Sequence, residues 1–192
     1  MSGRLLSLRT EELSGWLSRL VAGECLTLSG VVYAAEEEAV KWLWEQQETG
    51  MPLPFARQGS VLCAGVPTLC TEGEGIRLWE VGAWEGSEQY LPGLLQTGLN
   101  ALVGRGSPEP DTLSALIRRR GVCFAPLGGS GRQSAGSICT VSPVTGEGLR
   151  EGSLLRLGVL DLPLVVAVDA AGGNLYERGP DRYRRKPKSL RW

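Results

Sequence analysis

The chain has 192 residues, with 20 Lys plus Arg against 21 Asp plus Glu, a net charge of −1, and no histidine. That balance gives no electrostatic reason to expect a nucleic-acid or anionic-membrane partner. The missing imidazole excludes Ser-His-Asp and Cys-His nucleophiles and every histidine metal site. A single domain of this size buries roughly 70% of its unfolded surface, so it needs no disulfide or metal to fold.

In chain order, Ser7–Leu20 predicts a short helix, with Thr10 as N-cap, Glu11 and Glu12 in the first turn, and Leu13, Trp16, Leu17 and Leu20 on one face. CLTLSGVVYA, from Cys25, alternates in β-forming residues and predicts a strand. Glu36–Gln47 predicts a helix, and Gly50 stops it. Val61–Gly65 and Ile76–Val81 are short strand candidates, followed by a helix over Glu88–Leu99. Ala101–Val103 predicts a strand ending in a Gly-Arg-Gly turn. Pro110–Arg120 predicts a helix with Asp111 near its start and arginines at its end, as the macrodipole favours. The segment 121–125 predicts a strand, 127–137 a glycine turn into a helix, and Ile138–Val141 another strand. LPLVVAVD, from Leu162, is apolar almost throughout, as expected of a strand covered on both faces. Helices and strands mix without strict alternation, which predicts a layered mixed α/β domain.

The five cysteines, Cys25, Cys63, Cys70, Cys123 and Cys139, contain no CxxC. Four of them, all but Cys70, lie in apolar segments, where a reduced thiol packs as a small hydrophobe; a reducing cytoplasm is the compartment expected. The N-terminal MSGRLLSLRTEE lacks a signal peptide's apolar core, and no apolar run approaches a membrane span. From Arg178 to Trp192 the composition turns basic, with seven Lys/Arg. This tail is expected either to be disordered or to dock on an acidic partner subunit.

Several segments, taken in order, carry a family likeness. They are AGECLTLSG, MPLPF, Gly104-Arg105-Gly106, Gly128-Gly129-Ser130-Gly131 with Ala135 and Ser137-Ile138, and VAVDAAGGNLY. Together they resemble the C-terminal domain, or β subunit, of class I fumarases and L-tartrate dehydratases. The resemblance implies an α/β fold, a mixed layered swivelling β/β/α domain of the fumarase C-terminal type, over residues 1–177, with 178–192 as a basic tail. It implies no cofactor on this chain and a [4Fe-4S] cluster on a partner α subunit, whose iron polarises the leaving hydroxyl. It also implies a small dicarboxylate as substrate and a homo- or hetero-oligomer, with no nucleic acid and no membrane as partner.

Two of the family's patterns are altered. Its Ala-Arg-Asp-x-Ala-His turn is matched by Ala35-Glu36-Glu37-Glu38-Ala39-Val40, so a carboxylate stands where an arginine is expected to hold a substrate carboxylate. Reversing that charge costs up to about 8 kcal/mol, twice a pair at 4 Å and an effective dielectric near 20. Its Gly-Pro-Thr-Thr-Ser-x-Arg-Met pattern falls on Val81 to Glu88, where only Gly82 persists. Ser87 there is expected to be a helix N-cap. Glu36, Glu37 and Glu38 are expected to be the acidic first turn of a helix, with Glu37 paired to Lys41 and no arginine adjacent in sequence.

Arg105, between Gly104 and Gly106, stands either as the counterpart of the family's substrate-binding lysine or as a surface turn arginine. The Gly128, Gly129, Ser130, Gly131 turn stands either as a backbone anion site or as close packing of helix on strand. No catalytic residue and no metal ligand is expected on this chain. Two functions follow: the β-type subunit of an iron–sulfur hydro-lyase, inactive alone, or a non-catalytic relative serving as an anion-binding, scaffolding or regulatory module.

Overall fold

A computed structural model describes residues 5–56, 59–69, 76–127 and 131–177. Its elements are β1 (Leu6–Arg9), α1 (Leu13–Trp16), β2 (Cys25–Ala35), α2 (Glu37–Glu48), β3 (Val61–Ala64), β4 (Thr68–Leu69), β5 (Ile76–Leu78), α3 (Leu91–Gln96), β6 (Ala101–Val103), α4 (Pro110–Arg119), β7 (Val122–Pro126), α5 (Gly131–Gly136), β8 (Ile138–Pro143) and β9 (Leu154–Val168). This is the mixed α/β class expected. The proposed tail, 178–192, lies outside the described residues, as does Cys70.

Strands β2, β3, β6 and β7 run parallel in that spatial order. The long β9 is antiparallel to both β2 and β7, so the pairings β2-β3-β6-β7-β9-β2 close a ring. β1 extends the sheet beside the first half of β2, and β8 lies on β9. β9 carries a bulge where it faces β2. Opposite Ser29 its register shifts, and Asp161 turns to φ 51° while its N–H donates to Ser29 Oγ at 3.0 Å.

The period of two along the parallel strands sends alternate side chains to two cores. Val61, Cys63, Ala101, Val103, Val122 and Phe124 face one core, which β1, α1 and β9 complete with Leu8, Leu13, Leu157 and Leu164. Leu62, Ala64, Leu102 and Cys123 face the other, covered by Val40 and Leu43 of α2, Leu91 and Leu95 of α3, and Leu116 of α4. A parallel sheet packed on both faces accounts for the short, wholly apolar strands.

The first expected helix is corrected. Residues 6–9 form β1, parallel to β2, and α1 is a single turn over Leu13–Trp16 with Glu12 at its N-cap. Thr10 is not a cap: its hydroxyl accepts from Val31 N–H at 3.1 Å and lies against Gly30. Gly30 has φ 122°, and a Cβ there would overlap Thr10 Oγ1, so this crossing of β1 and β2 needs glycine. Leu13, Leu17 and Leu20 are nonetheless buried, as their spacing indicated. The third helix is also shorter than expected, starting at Leu91 rather than Glu88. Pro92 has no N–H and belongs in a first turn, which sets the start there. β9 begins eight residues before the expected Leu162; Leu155, Leu157 and Val159 alternate into the core, with Arg156 and Gly158 between them.

The thiols divide. Cys63 and Cys123 are buried, and burial pushes the Cys123 thiol up to about 12. Cys25 and Cys139 are exposed, which corrects the expectation for both. Cys25 opens β2 before its buried run, and Cys139 sits on β8, whose residues are all exposed or half-buried. Apolar neighbours in sequence do not decide which way a strand residue points.

Where α4 meets the turns before α3, the buried Thr112 hydroxyl donates to Glu88 Oε2 at 2.8 Å. Desolvation raises the Glu88 carboxyl above its ordinary value, partly opposed by the Thr112 bond. The folded state therefore binds this proton more tightly than the unfolded chain does. Stability from the neutral form is present at low pH and is lost as the pH rises through the Glu88 range. Glu88→Gln is expected to raise the melting temperature by about 1–2 °C at pH 7 and to leave it unchanged near pH 3. Melts at the two pH values check this; equal shifts would assign the gain to packing rather than charge.

Candidate functional site

The carboxyl ends of the parallel strands are stitched into one rim. Gly65 N–H donates to Ala35 O at 2.8 Å, Gly82 N–H to Ala64 O at 2.9 Å, Arg105 N–H to Gly82 O at 2.9 Å, and Gly104 N–H to Phe124 O at 3.0 Å. A cleft of about 380 Å³ lies along this rim, lined among others by Glu80, Arg105, Gly106, Gly131, Ser134 and Tyr176. That volume suits a small molecule. Among the described lining residues Arg105 is the one cation and Glu80 the one carboxylate.

Of the residues singled out in the sequence, the fold therefore brings Arg105, Gly106 and Gly131 to one cleft, although Arg105 and Gly131 are 26 positions apart. Gly104 is not on the lining. It sits under Trp84, where a Cβ would meet the indole Cδ1 at 2.7 Å and overlap Nε1. Gly131 is also closely packed: a Cβ would lie 2.8 Å from Leu78 Cδ1 and 3.0 Å from the Trp79 backbone, whose N–H donates to Gly131 O at 3.0 Å. Gly128, Gly129 and Ser130 lie outside the described residues.

The stretch after β9 holds the Arg105 turn in place. Asp169, buried, accepts Ala171 and Gly173 N–H on Oδ1 at 2.9 and 2.8 Å, and Ala22 N–H on Oδ2 at 3.0 Å. Asn174, also buried, donates from Nδ2 to Ser107 Oγ at 3.1 Å and accepts Tyr176 N–H at 3.0 Å. Gly106 N–H then donates to Tyr176 Oη at 3.1 Å. Burial pushes the Tyr176 phenol up, against the Gly106 bond and the nearby Arg105, which both favour ionisation. The segment DAAGGNLY marked a likeness in the sequence; no local signal connected it to residues 104–107.

The three glutamates begin a helix, as expected. Glu36 is the N-cap residue of α2, and Glu37 and Glu38 lie in its first turn. Their partners differ from those expected. Lys41 pairs with Glu45 at 3.6 Å rather than with Glu37. Arg150, from the connection between β8 and β9, reaches Glu36 with Nη2 and Glu38 with Nε. Its separation of 114 residues from Glu36 hid this contact from the sequence. Ser87 is not an N-cap: it is buried in turns before α3, whose N-cap is Tyr90.

The described residues do not fit an iron–sulfur cluster. No three His, Cys, Asp or Glu side chains among them converge on a point that could hold a metal. Cys63 and Cys123 face opposite cores, and burial holds both thiols protonated.

Comparison with known proteins decides the ancestry. Residues 2–179 match the family described as Fumarase C-terminus. The chain belongs to this family. A relative from Geobacillus stearothermophilus, carrying the provisional name fumarate hydratase class I, is 25% identical over 182 residues. That match takes in 91% of this chain but 34% of the relative, so the chain spans about a third of that protein's length. A relative from Methanocaldococcus jannaschii, with the provisional name L(+)-tartrate dehydratase subunit beta, is 24% identical over 174 residues, covering 84% of this chain and 86% of its own. Set in this family, the rim carries Arg105 on its Gly-x-Gly turn, while Glu36 is held by Arg150. No helix among the described residues is long and apolar enough to cross a membrane.

Proposed function

We propose that this chain is the β-type component of an iron–sulfur hydro-lyase acting on a small hydroxy dicarboxylate. It swivels closed over a separate cluster-bearing α chain. The observation that carries this reading is Arg105, placed on a short turn at the carboxyl ends of the parallel strands and lining a cleft of ligand size. The names of the two relatives support the reaction class, and the name of the second, a subunit beta, supports the division into subunits. On this chain Arg105 binds one carboxylate of the substrate through charge-assisted hydrogen bonds and fixes its orientation. Only Gly82 remains of the family's Gly-Pro-Thr-Thr-Ser-x-Arg-Met pattern, so proton transfer and the departure of water are assigned to the partner.

A second reading, a non-catalytic anion-binding or scaffolding relative, is favoured by Glu36 and Glu38. Glu36 stands where the family pattern expects a substrate-binding arginine, and Arg150 takes up its carboxylate together with that of Glu38.

Succinate, a dicarboxylate that cannot react, tests the shared part of both readings. It is expected to stabilise the parent chain by about 2.7 kcal/mol at a hundred times Kd, and Arg105→Ala is expected to abolish the effect. An equal stabilisation of parent and variant would sink the carboxylate site. Fumarate then separates the readings. The chain alone is expected to form no malate, whereas a complex with its α chain does. Turnover by the isolated chain overturns the division of labour; a complex without turnover establishes the non-catalytic reading.

A further inference from the structure

The geometry points to Tyr176 as a second ligand-binding side chain of the cleft, its phenol proton donated to the same carboxylate that Arg105 holds. This rests on the Arg105 carboxylate site proposed above. A tyrosine hydroxyl has one proton to give and lone pairs to accept with. At Tyr176 the accepting side is engaged by Gly106 N–H at 3.1 Å, and among the described residues nothing receives the phenol proton. The oxygen is thus anchored beside the backbone of the residue after Arg105, and its donor is left for whatever enters the cleft that both side chains line.

Position is enforced from both sides. Tyr176 N–H is fixed by Asn174 Oδ1 at 3.0 Å, and the same Asn174 side chain grips Ser107 at 3.1 Å. The tyrosine and the 104–107 turn are therefore joined by two struts and move together. Asp169, with its three backbone N–H donors, folds the start of this segment on itself and ties it to Ala22, ahead of β2. Only the ring and its hydroxyl remain half in solvent, with Tyr176 36% exposed.

The two donors differ in kind. Arg105 attracts any anion over several ångströms and carries its charge on a long, exposed side chain. Tyr176 is neutral and held on a short stem. A hydrogen bond from it strengthens only when a carboxylate oxygen sits in one place, so it selects geometry where Arg105 supplies charge. The ligand class this pair fits is a small carboxylate with one end in the cleft. Glu80, on the same lining, disfavours a second negative charge beside the first. A dicarboxylate therefore directs its other end out of the cleft.

Calorimetric titration of succinate into the parent, Tyr176→Phe and Arg105→Ala chains tests this. Phe keeps the ring and its packing, so the melting temperature serves as the control for folding. Tyr176→Phe is expected to weaken succinate about tenfold, as loss of a hydrogen bond to a charged group does; because it also removes the acceptor of Gly106 N–H, the melt is expected to fall by no more than about 4 °C. Saturating succinate is also expected to produce a tyrosine ultraviolet difference spectrum in the parent that Tyr176→Phe lacks. Equal affinity in parent and Tyr176→Phe, or a difference spectrum that survives the substitution, overturns the inference while leaving the Arg105 site standing. Undiminished binding by Arg105→Ala overturns the carboxylate site itself, and with it this role for Tyr176.

Discussion

Phe124→Ala is expected to lower the unfolding free energy by about 3–5 kcal/mol. Phe124 is fully buried in β7, between Val103 of β6 and Val166 of β9 in the pairing register. Its ring fills the core enclosed by the ring of strands, where Trp79 also packs. Strands on both sides hold the backbone, so the walls cannot collapse into the space left behind. The removed ring therefore costs both its transfer free energy and a cavity. For a chain of this size the melting temperature should fall by about 10 °C or more. The carbonyl of Phe124 receives Gly104 N–H, so loosening β7 also loosens the rim that carries Arg105. Urea unfolding gives the free energy directly, with Leu160→Ala as comparison. Leu160 is 58% exposed on the β9 bulge, and its truncation should change stability by less than about 0.5 kcal/mol. A loss near that small value for Phe124→Ala would mean that β7 is not an interior strand.

Gly104→Ala is expected to cost about 1–3 kcal/mol, although it adds a single methyl group. The backbone at Gly104 has no left-handed torsion that would demand glycine. The demand is steric. The added Cβ overlaps Trp84 Nε1, and Trp84 is 4% exposed, packed in the helix-side core. The indole has no room to move aside, so the strain passes into the 104–107 turn. Both stability and succinate affinity are expected to fall together. Gly136→Ala, at the end of α5, provides the contrast. Nothing lies within 4 Å of its Cβ, and alanine there should be neutral or mildly stabilising. If Gly104→Ala melts like the parent and binds succinate equally well, Trp84 does not define the floor of this turn.

The class of fold and the ancestry were legible in the residues themselves. The runs 61–65, 101–103 and 121–125 were legible as strands, and the apolar run from Leu162 as one covered on both faces. Pro110 and Asp111 opened α4, and Glu37 and Glu38 opened α2, because helix ends are chosen by local backbone and charge effects. The Gly-Arg-Gly turn announced itself for the same reason: three adjacent residues determine it. What the tertiary structure decided were contacts between distant segments. Residues 6–9 carry an alternation too short to outweigh the helical spacing that follows, and they become β1 only because β2 offers a parallel edge some 20 positions later. Arg150 settles on Glu36 across 114 positions, and Gly106 finds Tyr176 across 70. Gly104 has the sequence signature of a binding turn, yet Trp84 decides what may stand there. Periodicity and capping act within one or two turns of backbone. Pairing, close approach and the sharing of a cleft depend on how the ring of strands closes, which no local window contains.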